Sequence, residues 1–367
     1  MFDVIVMRNF LNESASLLDM SEKMGRIHPD IIAGLAELGF FGLMRPKLYG
    51  GVDLEYQQVM RLVVEASKFS GSLGWCLSLF SFHNMMARRL PIPLLEVLFS
   101  SPTTLIASAL FPVGRAVVSG DGYVVTGEWR YTSGIHVANW VALRAMVEGE
   151  GKPYEAGFYV PASQCQITDD WHTVGMRASG SNSIKINGVF LEKKFRVASS
   201  GVEDHRRAEM RIPPSYRLPQ QMVISLGTLA PAIGILEAMT MQFKKTDSPD
   251  FTLDDFSAAQ TMLELKARVV LLVNSFWKEV ENALDDVPVS GVVAVPRQME
   301  TRLRCSLLMK MALGLAVEIF QQAGSKVIFV DNPLLRMMSD IQALSTHYLC
   351  KVDVASADLA LRLQQRG

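Results

Sequence analysis

The chain has 367 residues, enough for two or three domains that each bury a core. Its 36 Lys and Arg offset 37 Asp and Glu, so no charge field points to nucleic acid or an anionic membrane as a partner. Cys76, Cys165, Cys305 and Cys350 are scattered without a C-x-x-C pair, which predicts reduced thiols and no metal site. The apolar run at Met1–Met7 is too short for a signal peptide, and Leu307–Val330 is interrupted by Lys310, Glu318 and Lys326. A soluble, cytoplasmic protein is expected.

Helical spacing opens the chain. Ile31, Ile32, Leu35 and Leu38 recur on one face before Gly39 and Gly42 end the run. Tyr56–Phe69 reads as an amphipathic helix and Ser72–Leu90 as a largely apolar one, closed by Pro91 and Pro93. The period then changes. Arg115–Ser119, Tyr123–Thr126, Trp129–Thr132, Trp140–Val147, Ala156–Val160 and Ser183–Val189 are short β-branched and aromatic runs separated by Gly-containing turns. Ser199–Pro219 reads as a polar, Arg-rich linker. Long helices follow at 221–244, 253–284, 296–324 and 333–365, which suggests a bundle. The expected fold is α+β in three domains: N-terminal helices (1–107), a central antiparallel β domain (108–208) and a C-terminal four-helix bundle (209–367).

Four segments carry chemistry. Gly39–Gly51 is by itself a helix end with a tight Gly50-Gly51 turn. Trp75 and His83 share one apolar helix, where a histidine is equally at home as a buried core residue. In Gly127–Trp140, a strand through Trp129, Tyr131 and Ser133 would set two aromatics and a hydroxyl on one wall, suited to a planar heterocycle. In Trp171–Ser183, the hydroxyls of Ser179 and Ser181 and the nearby amides could meet a phosphate or ribityl chain, or simply form a turn. Near the C-terminus Arg336, Asp340 and His347 fall at i, i+4 and i+11, on one face of a continuous helix.

Taken in order, these segments resemble the acyl-CoA dehydrogenase superfamily over nearly the whole chain. The similarity is greatest to its branch of two-component flavin-dependent monooxygenases, through Gly127–Trp140, Ser108–Gly114 and Asn332–His347. That branch usually has a second Arg before the Asp of the last motif, where this chain has Ser339. The dehydrogenases carry a Glu seven residues before the motif's Arg, here Phe329, or on the first bundle helix, which offers Ser225 and Thr228, with Glu237 further along. Their Arg-containing anchor for FAD is replaced by Leu253–Gln260, with Asp254 and Asp255. A misplaced carboxylate lacks the geometry for general base catalysis, so the dehydrogenase reaction is disfavoured.

The resemblance implies an oxygenase component that takes reduced FMN or FAD from a separate flavin reductase and adds O2 to form a C4a-hydroperoxyflavin. An oxygen atom then passes to a small aromatic or amine substrate. The alternatives are a dehydrogenase-like oxidoreductase with bound FAD and a non-catalytic flavin-binding relative. The resemblance places Trp75, Phe111, Pro112, Tyr131, Thr132, Ser133, Gly134, Ser179, Ser181 and Arg336 at the cofactor. Ser133 is the candidate contact to flavin N5. His83 and His347 are candidates for orienting or deprotonating substrate, and His136 and His172 are weaker ones. A homotetramer is implied as well.

Overall fold

The computed structural model describes residues 3–149, 151–198, 214–243, 253–288 and 293–364. Six helices come first: α1 (Val4–Glu13), α2 (Ala15–Met24), α3 (Pro29–Glu37), α4 (Tyr56–Phe69), α5 (Gly71–Ala87) and α6 (Ile92–Leu98). Local chemistry sets their ends. Glu55 and Gln58 form a capping box at α4, and the Ser70 side chain accepts from the Leu73 amide to start α5. α5 is buried nearly all round, as its apolar composition requires of a central helix.

Seven strands follow: β1 (Ile106–Ser119), β2 (Gly122–Trp129), β3 (Trp140–Glu148), β4 (Tyr154–Pro161), β5 (Gln166–Thr168), β6 (Ser183–Glu192) and β7 (Arg196–Ala198). They form one sheet in the order β5-β6-β2-β1-β3-β4-β7. The sheet is mixed, which corrects the expected antiparallel domain. β1 runs parallel to β3, because the chain between β2 and β3 returns through a loop rather than a hairpin, and the other pairs are antiparallel. The expected strand at Trp129–Thr132 also fails. β2 ends at Trp129 and Tyr131 takes a left-handed φ of 62°. Of the expected linker Ser199–Pro219, residues 199–213 lie outside the described residues, as does part of the 240–265 region.

The last helices are α7 (Gln220–Phe243), α8 (Leu253–Asp285), α9 (Val295–Gln322), α10 (Pro333–Ser345) and α11 (Val352–Gln364). The single helix expected over 333–365 is therefore two, broken by a 3-10 turn at Tyr348–Cys350. Asn332 caps α10 by accepting from the Leu334 amide and Pro333 occupies its first turn, so the Asn-Pro of the C-terminal motif is a helix start. α7 is long and apolar enough to cross a membrane, yet 89% of its apolar window is buried inside the protein. One apolar core runs from α1–α5 into α7–α10, and a second lies within the sheet.

Candidate functional site

Three pieces of chain converge on Ser133. After β2 the Arg130 amide donates to the Phe111 carbonyl at 3.0 Å and the Thr132 amide to the Asn182 carbonyl at 3.2 Å. The Gly134 amide donates to the Ser179 carbonyl at 2.8 Å. Gly134 has φ 74°, and a Cβ there would sit 2.5 Å from the Phe80 ring on α5, so a side chain would be both strained and in collision. The loop is thus clamped between α5 and the segment preceding β6.

Trp129, Tyr131 and Ser133 do not share the face expected of them. Trp129 is fully buried and its Nε1 donates to the Arg144 carbonyl at 2.9 Å. A Cβ on Gly114 would lie 2.1 Å from its ring, so the glycine is what admits the indole. Tyr131 points outward and is 69% exposed, as is Phe111 at 55%. Ser133 is buried, and its Oγ accepts from Trp75 Nε1 at 3.0 Å. From Ser133 a chain of hydroxyls runs inward: Ser133 to Ser181 at 2.7 Å, Ser181 to Ser179 at 2.7 Å, and Ser179 Oγ to the Met176 carbonyl at 2.7 Å. Ser179 and Ser181 therefore do not present hydroxyls to an external phosphate. The structure gives them a different task, bracing Ser133.

The turn that ends this chain is held from α10. Met176 takes a left-handed φ of 54°, and its amide donates to Asp340 Oδ1 at 2.5 Å. Gly175 approaches α10 so closely that a Cβ would meet the Ser339 carbonyl oxygen at 2.0 Å. Burial pushes the Asp340 carboxyl up to about 7, the negative charge of Glu22 adds to this, and the Met176 amide and Arg336 oppose it. Glu22 on α2 is raised as well, first by burial, with Arg336 and Arg177 pulling back.

The C-terminal motif is rearranged relative to expectation. Arg336 pairs with Asp19 on α2 at 3.0 Å, while Asp340 serves Met176. His347 is beyond α10, not on its face: the helix ends at Ser345, and His347 caps the following turn by accepting from the Leu349 amide at 3.4 Å. With Nδ1 accepting, the neutral ring carries its hydrogen on Nε2. Burial lowers His347 to about 4, so it is neutral near pH 7. Its ring lies edge-on to Trp75, 5.5 Å between centroids.

Trp75, Ser133 and His347 are thus brought together, and the other candidate histidines, His83, His136 and His172, stand apart. His83 is buried, with Nδ1 2.5 Å from the Ile106 carbonyl, and desolvation lowers it to about 4. It ties α5 to β1. His136 Nε2 contacts Asn182 Oδ1 at 2.8 Å, and His172 lies exposed with its Nε2 3.2 Å from the Asp169 carbonyl.

On the other side of Trp75 lies a narrow apolar cleft between α4, α5 and α7, partly open to solvent. Met44, Met60, Phe82, Val223 and Ile224 line it. Three of its four lining hydroxyls are turned onto backbone: Tyr56 to the Val223 carbonyl at 3.0 Å, Ser78 to Gly227 at 3.0 Å, and Thr228 to Ile224 at 2.8 Å. No carboxylate is among the described lining residues. Glu237, the acid further along α7, pairs instead with Lys68 at 3.1 Å. Sequence reasoning missed this cleft and the bracing role of Asp340, because both depend on which helices meet.

Residues 6–92 match the family of acyl-CoA dehydrogenase N-terminal domains. The chain is 24% identical to the flavin-dependent monooxygenase oxygenase subunit HsaA of Mycobacterium tuberculosis over 92% of its length and 89% of that protein's. Among solved structures, 3-HSA hydroxylase from Rhodococcus sp. RHA1 superposes with a TM-score of 0.89 at 22% identity, covering 99% of this chain and 97% of that one. XiaF from Streptomyces sp., solved with FADH2 and glycerol, superposes with a TM-score of 0.86 at 19% identity over 97% and 94% of the two chains. The mixed sheet between two sets of helices is the acyl-CoA dehydrogenase-like fold, and over most of its length the chain is similar to the oxygenase subunits of flavin-dependent monooxygenases.

Proposed function

We propose that this chain is the oxygenase component of a two-component flavin-dependent monooxygenase that hydroxylates a small aromatic substrate, with reduced FMN or FAD supplied by a separate reductase. One observation carries the reading: an apolar cleft with no carboxylate among its described lining residues meets, at Trp75, a polar edge built around Ser133. A dehydrogenase base would need a carboxylate in that cleft. An aromatic ring needs only apolar walls and a few directed polar groups. HsaA is named a flavin-dependent monooxygenase oxygenase subunit and the XiaF structure holds FADH2, which supports the same conclusion.

The residues present fit a flavin. Phe111 and Tyr131 leave large aromatic surfaces outside the fold beside Ser133, and the buried Thr132 Oγ1 has no hydrogen-bond partner. In this reading Phe111, Pro112 and Tyr131 flank the ring, and Thr132, Ser133 and Gly134 meet its polar edge. Trp75 separates it from the substrate. A bound reduced flavin supplies the electrons that activate O2. The chain's own work is to exclude water and to orient the substrate, with the His347 Nε2 hydrogen directed as a donor. Ser179, Ser181 and Arg336 support the loops rather than touch the ligand, and His83 holds α5 in place.

A homotetramer in the cytoplasm belongs to the same proposal. Leu263, Val270 and Leu271 on α8 and Met311 on α9 are each more than half exposed, an apolar surface suited to subunit contact. The function is tested by giving the protein reduced FMN or FAD, a panel of phenols and indoles, and 18O2. A product carrying one labelled oxygen, formed only with protein present, is expected. No labelled product from any member of the panel, with flavin reoxidising at the rate of free flavin, overturns the proposal.

A further inference from the structure

Hydrogen counting along the Ser133 chain gives it a direction. The Met176 carbonyl only accepts, so Ser179 Oγ, 2.7 Å away, donates its single hydrogen there. Ser181 must then be the donor in its 2.7 Å contact with Ser179. Ser133 must in turn donate across its 2.7 Å contact with Ser181. An indole nitrogen only donates, so Trp75 Nε1 takes one Ser133 lone pair at 3.0 Å. Ser133 is left with one lone pair and no hydrogen.

The direction is anchored at its far end. The Met176 carbonyl also accepts from Trp171 Nε1 at 3.1 Å, and the Met176 amide is held by Asp340. For Ser133 to turn its hydrogen outward, one of two things must happen. Either two hydroxyl oxygens stay 2.7 Å apart with no hydrogen between them, or every hydroxyl reverses and Ser179 abandons the carbonyl.

We infer that Ser133 is an acceptor only, and that Ser179 and Ser181 are positioning residues that make the site select a flavin whose N5 carries hydrogen. This rests on the flavin reading above. N5 of an oxidised flavin is a bare acceptor and meets the Ser133 lone pair unfavourably. N5 of a reduced flavin is an N–H donor and is complemented by it. The hydroxyl chain therefore favours the reduced cofactor that an oxygenase component must capture and lets the oxidised one go.

The test compares dissociation constants for oxidised FMN and FAD with those for the same flavins reduced anaerobically, in the wild type, Ser181→Ala and Ser181→Thr. Ser181→Ala leaves the Ser133 hydrogen without an internal acceptor and free to meet N5. Oxidised flavin is expected to bind about threefold to tenfold tighter, with reduced flavin unchanged. The two-electron potential of bound flavin then falls by about 15–30 mV. Ser181→Thr keeps the hydroxyl and is expected to keep the wild-type ratio. Ser179→Ala lets Ser181 donate to Ser133 instead, so it shifts the ratio in the same direction and serves if Ser181→Ala does not fold. Equal weakening of both redox states, an unchanged ratio, or a threonine variant that behaves like the alanine one overturns the inference. A wild type that binds neither form of flavin overturns the functional reading itself.

Discussion

The apolar cleft and the hydroxyl chain meet at a single side chain, Trp75, and handle polar groups in opposite ways. In the cleft, Tyr56, Ser78 and Thr228 turn their hydroxyls onto main-chain carbonyls, so the walls face a ligand mostly as hydrocarbon. Behind Ser133, serine hydroxyls are linked to one another and the chain ends on a single carbonyl. The first arrangement hides polarity and tolerates many apolar ligands. The second aligns polarity and discriminates between a donor and an acceptor. The difference teaches that the same residue type, serine, sets shape in one region and hydrogen-bond direction in the other, depending on whether its partner is fixed backbone or another hydroxyl.

The largest expected effect parts two of the helices that carry the cleft's walls. A Cβ on Gly234 of α7 would lie 2.1 Å from the Val64 carbonyl oxygen of α4. Gly234→Ala forces the two helices apart and is expected to cost about 3 kcal/mol, read as a lower thermal midpoint. An unshifted midpoint would mean that α4 and α7 separate freely at this point.

A second substitution bears on the polar region. Burial pushes the Asp340 carboxyl up to about 7, with the charge of Glu22 adding to this and Arg336 opposing it. A folded-state pKa above the unfolded one gives stability that is full below the ordinary carboxyl range and lost as pH climbs through about 7. The wild-type midpoint is therefore expected to fall as pH rises from the ordinary carboxyl value of 3.8 to about 7 and to level off above it. Asp340→Asn, which keeps an oxygen for the Met176 amide, should flatten that slope. Parallel slopes for the two proteins would show that Asp340 does not titrate there.

The smallest effect separates the regions at their junction. Trp75→Phe preserves most of the apolar wall and removes the indole N–H given to Ser133. Stability should fall by about 1 kcal/mol while affinity for an apolar cleft ligand changes less than about threefold. A large loss of ligand affinity would show that the cleft depends on the polar chain.

Much of the architecture was legible beforehand. The helix at Tyr56–Phe69 begins and ends as its periodicity predicts, and the change of period marks the sheet. Local signals failed where distant chain intervened. Trp129–Thr132 has strand composition, but the loop is pulled out of the sheet by Phe111, Asn182 and Ser179. Arg336, Asp340 and His347 read as one helix face in the sequence, yet the helix ends before His347 and each answers to a different partner: Asp19, Met176 and Trp75.

Periodicity, capping residues and the change of period, all local properties of the chain, determined by themselves that this protein has helices, a sheet and more helices. Only the tertiary structure decided which hydroxyls face one another, which helices enclose the cleft and which carboxylate holds the Met176 turn. Those outcomes depend on contacts between residues far apart in sequence, such as Trp75 with Ser133 and Met176 with Asp340, and a hydrogen bond has direction only once both of its ends are in place.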